Sequence, residues 1–175
     1  MRTTEQARET AIAQIAASDF SELEPLLIES KTEEFAAGWV YYYQSARYLQ
    51  TRDPRDGLVG NAPLLVPRNG APPAFISYHR PTAESVEAFA FCGDANAEPN
   101  AEIELQGWKV GALKVSATQA IREFSSLGLA AAHKAVDQCL SGKVVRVSTG
   151  GVAAARALAS KLVCLKFVAR VTYGA

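Results

Sequence analysis

Histidine and cysteine are scarce: 175 residues hold two histidines, His79 and His133, and three cysteines, Cys92, Cys139 and Cys164. The cysteines form no CxxC pair and are odd in number, which argues against a disulfide framework and for a reducing compartment. A zinc site would need ligands from distant segments at no recognised spacing. Nothing local marks a Cys–His nucleophilic pair. No apolar run approaches the roughly 20 residues of a membrane span, and the opening stretch, MRTTEQARETAIAQIAASDF, lacks the apolar core of a signal peptide. Ser148-Thr149-Gly150-Gly151 lacks the lysine and the spacing of a phosphate-binding loop and reads as a helix cap. Without a nucleophile, metal set or acid/base pair, the expectation is a soluble cytoplasmic protein that is no enzyme, takes no cofactor and binds no metal or membrane.

What is present suits a buried core. Hydrophobic residues make up 49% of the chain, and its length allows one large domain or two small ones. The formal net charge is zero, but residues 1–100 carry eight Lys/Arg against fourteen Asp/Glu, and residues 101–175 carry ten against four. That asymmetry suggests two modules with different surfaces. The cations of the second half, from Lys109 to Arg170, are spread out with few aromatics between them, so they read as a solvated surface rather than a nucleic-acid site.

The first half is organised around Gly38 to Gly70. Trp39 to Tyr43 is an aromatic, β-prone run. Alternation puts Trp39, Tyr41 and Tyr43 on one face and Val40, Tyr42 and Gln44 on the other. A turn-rich segment with Asp53-Pro54 and Asp56-Gly57 leads to Gly60-Asn61-Ala62-Pro63 and a second apolar run, Leu64 to Val66. Asn69-Gly70 signals a hairpin into Ala74–Tyr78. Pro67 cannot donate to a ladder, so that strand end belongs at an edge or a turn. A helix is expected over 3–17, capped by Thr3 or Thr4, and a short strand over Leu26–Ile28. A second helix is expected to start at Arg80-Pro81-Thr82 with Thr82 as cap, Val86, Phe89 and Ala90 forming its apolar stripe.

Residues 93–104 are polar and contain Gly93 and Pro99, which suggests a linker between domains 1–92 and 105–175. Beyond it the pattern predicts a strand over 108–115, helices over 116–127 and 129–140, a strand over 143–147, a helix over 152–162 and a strand over 165–171. The expected fold class is α+β. A small antiparallel sheet domain with flanking helices precedes a β-α-α-β-α-β two-layer domain with a three-stranded sheet.

The order Gly-Trp, aromatic run, Gly60-Asn61-x-Pro63-Leu64, hydrophobic Leu65, Val66, Arg68-x-Gly70 resembles the bacterial immunity protein 35 family over residues 20 to 90. One departure is Pro67, where the family pattern usually has an acidic residue. The resemblance implies a cytosolic protein that binds and neutralises a cognate polymorphic toxin. Over residues 105 to 172, AIREFSSLGLAAAHKAVDQ resembles the C-terminal domain of the ribosomal stalk protein, through Ile121, Arg122, Leu127, Gly128, Leu129, Ala132 and Val136. Gln119 and His133 stand where that family usually has lysines. This likeness implies an alternative, an adaptor acting on translation or proteolysis.

For the toxin, the expected interface lies in the acidic first module, since charge complementarity speeds association with a basic partner. Its acidic candidates are Glu29, Glu33, Glu34, Asp53 and Asp56. Its aromatic candidates are Tyr42 and Tyr48, with Arg47 as a polar anchor. Tyr42 is favoured because it lies opposite Trp39, on a face expected to meet solvent; Trp39 itself is read as structural. The toxin's identity and the oligomeric state are not legible.

Overall fold

A computed structural model describes residues 1–174. The chain divides into two compact units, Met1–Ala97 and a second from Glu98 onward.

In the first unit, α1 (Thr4–Ala16) opens with a capping box in which Thr3 and Gln6 satisfy each other's backbone N–H. Ala7, Ala11 and Ile15, four residues apart, form its buried stripe. The strands β1 (Pro25–Leu27), β2 (Glu33–Phe35), β3 (Gly38–Tyr41) and β4 (Tyr43–Ser45) follow, then the short helix α2 (Ala46–Thr51), β5 (Leu64–Pro67), β6 (Ala74–Phe75) and α3 (Thr82–Cys92). Four strands make an antiparallel sheet in the order β2-β3-β5-β6, and β1 pairs with β4 separately.

Both central strands, β3 and β5, are buried along their whole length. On one face Trp39, Tyr41, Leu64 and Val66 pack with Tyr43 against Ala7, Ala11 and Ile15 of α1. On the other, Val40 and Leu65 pack against Val86 and Phe89 of α3. This unit is therefore a helix–sheet–helix sandwich. Burial on both faces explains why these strands read as unbroken apolar runs.

Several expectations need correction. The aromatic run is not one strand: it breaks at Tyr42, where the chain leaves β5 and takes β1 as its partner, and Ile28 N–H bonds the Tyr42 carbonyl at 2.8 Å. The face opposite Trp39 does not meet solvent, because α3 covers it. Thr82 does not cap α3; Pro81 holds the cap position, and the Thr82 hydroxyl bonds Tyr42 instead. Ala90 is exposed, and Ser85 and Ala88 complete the buried stripe of α3. The hairpin after Asn69-Gly70 forms, but β6 keeps only two residues in register. Pro67 does end its strand, and its carbonyl accepts from Arg2 Nη1 at 3.0 Å.

In the second unit, β7 (Pro99–Trp108), α4 (Lys114–Phe124), α5 (Leu129–Leu140), β8 (Val145–Ser148), α6 (Val152–Cys164) and β9 (Phe167–Tyr173) give the expected β-α-α-β-α-β order. The sheet runs β8-β7-β9, antiparallel throughout. Ile103, Leu105, Val147 and Phe167 are buried in this unit, as are Ile121, Val136, Leu158 and Leu162 of its helices. Residues 99–104, expected to be linker, are instead the first part of the central strand. The Glu-Ile-Glu-Leu alternation there was outweighed in the sequence by Asn100 and Pro99. The strand expected over 108–115 ends at Trp108, because Gly111 turns the chain with φ +88.

On the open side of this sheet Glu104 lies between Arg146 and Arg170. It accepts from Arg170 Nη2 at 2.9 Å, Gln106 Nε2 at 2.9 Å and Arg146 Nε at 3.4 Å, and is 7% exposed. Burial raises its pKa, but the bonds from Arg170, Gln106 and Arg146 together outweigh that and hold the carboxyl below the usual carboxylate range. A depressed carboxylate contributes stability that is complete above its unfolded pKa and is lost as pH falls through the folded value. Glu104→Gln is therefore expected to cost about 1 kcal/mol at neutral pH. The difference from wild type should shrink as urea unfolding is measured down into the acid range below the ordinary glutamate value. A cost that persists unchanged into acid would assign the role of Glu104 to packing.

Candidate partner-binding surface

The best-built polar surface of the first unit follows β4. Ser45 is the hinge of it: its hydroxyl accepts from Tyr48 N–H at 3.0 Å, capping α2, and donates to the Asp56 carbonyl. Gln44 acts beside it as a side-chain strand, its amide oxygen accepting from Leu58 N–H and its nitrogen donating to the Leu58 carbonyl. Arg52, in the left-handed region at φ 58, ends α2 and turns the chain back. Asp53 then caps a one-turn helix at Pro54–Asp56 by accepting from Arg55 N–H at 2.9 Å.

These local choices bring Arg47, Tyr48, Asp53 and Asp56 into one loop. Arg47 Nε meets Asp56 at 3.0 Å, and Thr51 donates to the same carboxylate at 2.8 Å. Arg55 pairs with Asp53 at 2.6 Å, and that bond holds the Asp53 carboxyl below its ordinary pKa. The Arg52 guanidinium lies 5.9 Å from the Tyr48 ring centre. A groove of about 360 Å³ runs beside the loop, walled by Glu22, Glu24, Arg47, Arg55 and Asp56.

The other four candidates lie elsewhere. The Tyr42 hydroxyl donates to Glu33 at 2.6 Å and contacts Thr82 Oγ1 at 2.9 Å. Burial first, and then the Glu33 carboxylate, push its pKa up. Tyr42 is thus a half-buried tie between β2 and α3 rather than a ring displayed to solvent. Glu34 pairs with Arg68 at 2.6 Å, and the Arg68 guanidinium stacks 4.0 Å above Trp39. Glu29 pairs with Arg8 of α1 at 2.7 Å. Four of the five acidic candidates therefore have an arginine partner within the chain; Arg8–Glu29, with both side chains exposed, is the pair cheapest to exchange for a new partner. Arg52 and Arg55 were missed because an arginine in a polar loop has no periodic signal; the Asp53-Pro54-Arg55-Asp56 turn was the available clue.

Among the described residues, no group of three or more His, Cys, Asp or Glu side chains is placed to hold a metal ion. No helix there is long and apolar enough to cross a membrane. His133 pairs with Asp137 at 3.1 Å, and His79 bonds the Ser77 hydroxyl.

All eight candidates sit between Glu29 and Asp56. Residues 5–89 match the family model of immunity protein 35. The match covers a little under half of the chain and runs from α1 into α3, taking in nearly all of the helix–sheet–helix sandwich. No curated protein and no solved structure matches the chain. The immunity protein 35 match stops short of the second unit, and no comparison supports a fused ribosomal stalk-like domain there. The β-α-α-β-α-β order expected from the residue pattern is present, but an order of six elements does not establish kinship.

Proposed function

We propose that the chain is an immunity protein that binds and neutralises a cognate polymorphic toxin in the cytoplasm, acting by occlusion rather than by chemistry. The observation that carries this reading is the match of residues 5–89 to immunity protein 35. Its interface is drawn from the candidates Glu29, Glu33, Glu34, Tyr42, Arg47, Tyr48, Asp53 and Asp56, with Tyr42 acting from beneath as a tie for Glu33. Within it the loop of Arg47, Tyr48, Asp53 and Asp56 is favoured, because it joins an aromatic ring to charges already held in place by Ser45 and Gln44. Such pre-ordering lowers the entropy lost on binding. The adaptor reading has no observation in its favour.

The test is binding to the toxin encoded beside this gene, with folding of each variant checked first. Tyr48→Ala is expected to weaken binding by about 2 kcal/mol, mainly through faster dissociation. A Glu33/Glu34 double reversal to Lys is expected to slow association and flatten its salt dependence. Wild-type affinity in both variants would place the interface outside these residues, and failure of the wild type to bind or protect would sink the immunity reading.

A further inference from the structure

Between α1 and β1 the first unit carries an apolar groove of about 250 Å³. Ile12 and Ile15 form one wall, and Pro25, Leu26 and Leu27 the other. Ile12 is 43% exposed and Leu26 51%, so two large aliphatic side chains stand half in water. The Arg8–Glu29 ion pair closes one end.

Among the described residues, β1 is paired on one side only. Ile28 N–H bonds Tyr42 O and Ala46 N–H bonds Glu24 O. Antiparallel ladders alternate, so Leu26 shares the bonded pair with Gln44 while the N–H and C=O of Leu27 point away from β4. Leu27 therefore offers a donor and an acceptor with no ladder partner, beside an apolar groove. Pro25 shortens this edge to one usable N–H, enough to fix the register of a single short segment and too little to seed open-ended pairing.

The charges nearby have one sign in excess. Glu5 and Glu29 both act on Arg8, and Glu22 and Glu24 lead directly into β1. Neither Glu22 nor Glu24 has an ion-pair partner among the described residues. The Tyr41 hydroxyl, in the field of Glu29 and Arg8, is buried without a hydrogen-bond partner among the described residues. The segment 22–24 also walls the groove beside the Arg47 loop, so one stretch of chain borders both surfaces.

We propose that the α1–β1 groove receives an extended segment of the toxin, which pairs with Leu27 through its backbone, seats an aliphatic side chain between Ile12 and Leu26, and carries a basic residue beside it. This rests on the immunity reading and adds an apolar anchor beside the loop which that reading favours. A bare aliphatic groove would accept many ligands. The open strand edge selects an extended backbone, and the surrounding glutamates select a basic one.

The experiment uses the full chain and the toxin domain encoded beside its gene. Leu26→Lys and Ile12→Lys, at half-exposed positions, are each expected to raise Kd at least tenfold with the unfolding midpoint unchanged. Independently of any variant, amide exchange of Leu27 in the wild type should slow at least tenfold in the complex. If the wild type binds but Leu27 exchanges as fast as in the free protein and the folded variants bind normally, the groove is not the anchor and the immunity reading stands. If the wild type does not bind, both fall.

Discussion

Trp39→Ala is expected to destabilise the first unit by about 4 kcal/mol, the range found when a buried large aromatic is truncated. Trp39 is 1% exposed and lies in the layer between the sheet and α1, opposite Val66 in the neighbouring strand. No neighbour can fill the space: Ala7 and Ala11 of α1 are already the smallest side chains that keep the helix packed there. The ring also supports Arg68, which holds Glu34 at 2.6 Å, so its loss frees one end of the surface charge network. The indole N–H has no hydrogen-bond partner among the described residues. Trp39→Phe removes that unsatisfied donor and keeps much of the apolar volume, and should cost markedly less than Trp39→Ala. Urea unfolding followed by far-ultraviolet circular dichroism checks both. Equal losses for Phe and Ala would mean that the buried volume of the ring is not what Trp39 contributes.

The contrast with Tyr42 shows what alternation could and could not reveal. Period-2 patterning placed Trp39, Tyr41 and Tyr43 together, and all three lie in one core. The same patterning placed Tyr42 on the opposite face correctly but said nothing of what covers that face. The answer lay forty residues away in α3, whose Val86 and Phe89 pack there. Periodicity reports faces; it does not report layers. The same limit explains the second unit. Its element order was legible because Gly128, Gly142 and the β-branched run at 144–147 punctuate it clearly. Its first strand was missed because Pro99 and Asn100 look like linker until Ile103 and Leu105 are known to be buried between β8 and β9. The acidic candidates were legible as residues but not as partners. Arg55 lies two residues from Asp53, within a legible turn, but Arg8, Arg47 and Arg68 reach their partners from 9 to 34 residues away, and no local pattern encodes those pairs.

Gly38→Ala is expected to cost about 3 kcal/mol, although it adds only one methyl group. Gly38 opens β3 and pairs with Pro67 at the end of β5. A Cβ built there falls inside contact distance of the Val66 carbonyl oxygen and 2.9 Å from the Pro67 Cα. Both obstacles are backbone of the paired strand, so no rotamer change relieves them, and the proline ring stiffens the segment that must move. Its φ is not in the left-handed region, so the demand for glycine here is steric closeness and not conformational freedom. That gives the Gly-Trp pair of the family resemblance a physical meaning. The glycine lets β5 approach, and the tryptophan then seals the layer beneath α1. Gly107→Ala is the matched control: it too sits in a strand without positive φ, but nothing lies within 4 Å of its Cβ, and it should stay within about 0.5 kcal/mol of wild type. Because β2 pairs only with β3, forcing β3 from β5 also displaces Glu33 and Glu34. On the proposed immunity function, toxin binding by Gly38→Ala should therefore fall even at temperatures where the variant remains folded. A variant that unfolds and binds like wild type would show that β3 and β5 are less closely apposed than their register implies.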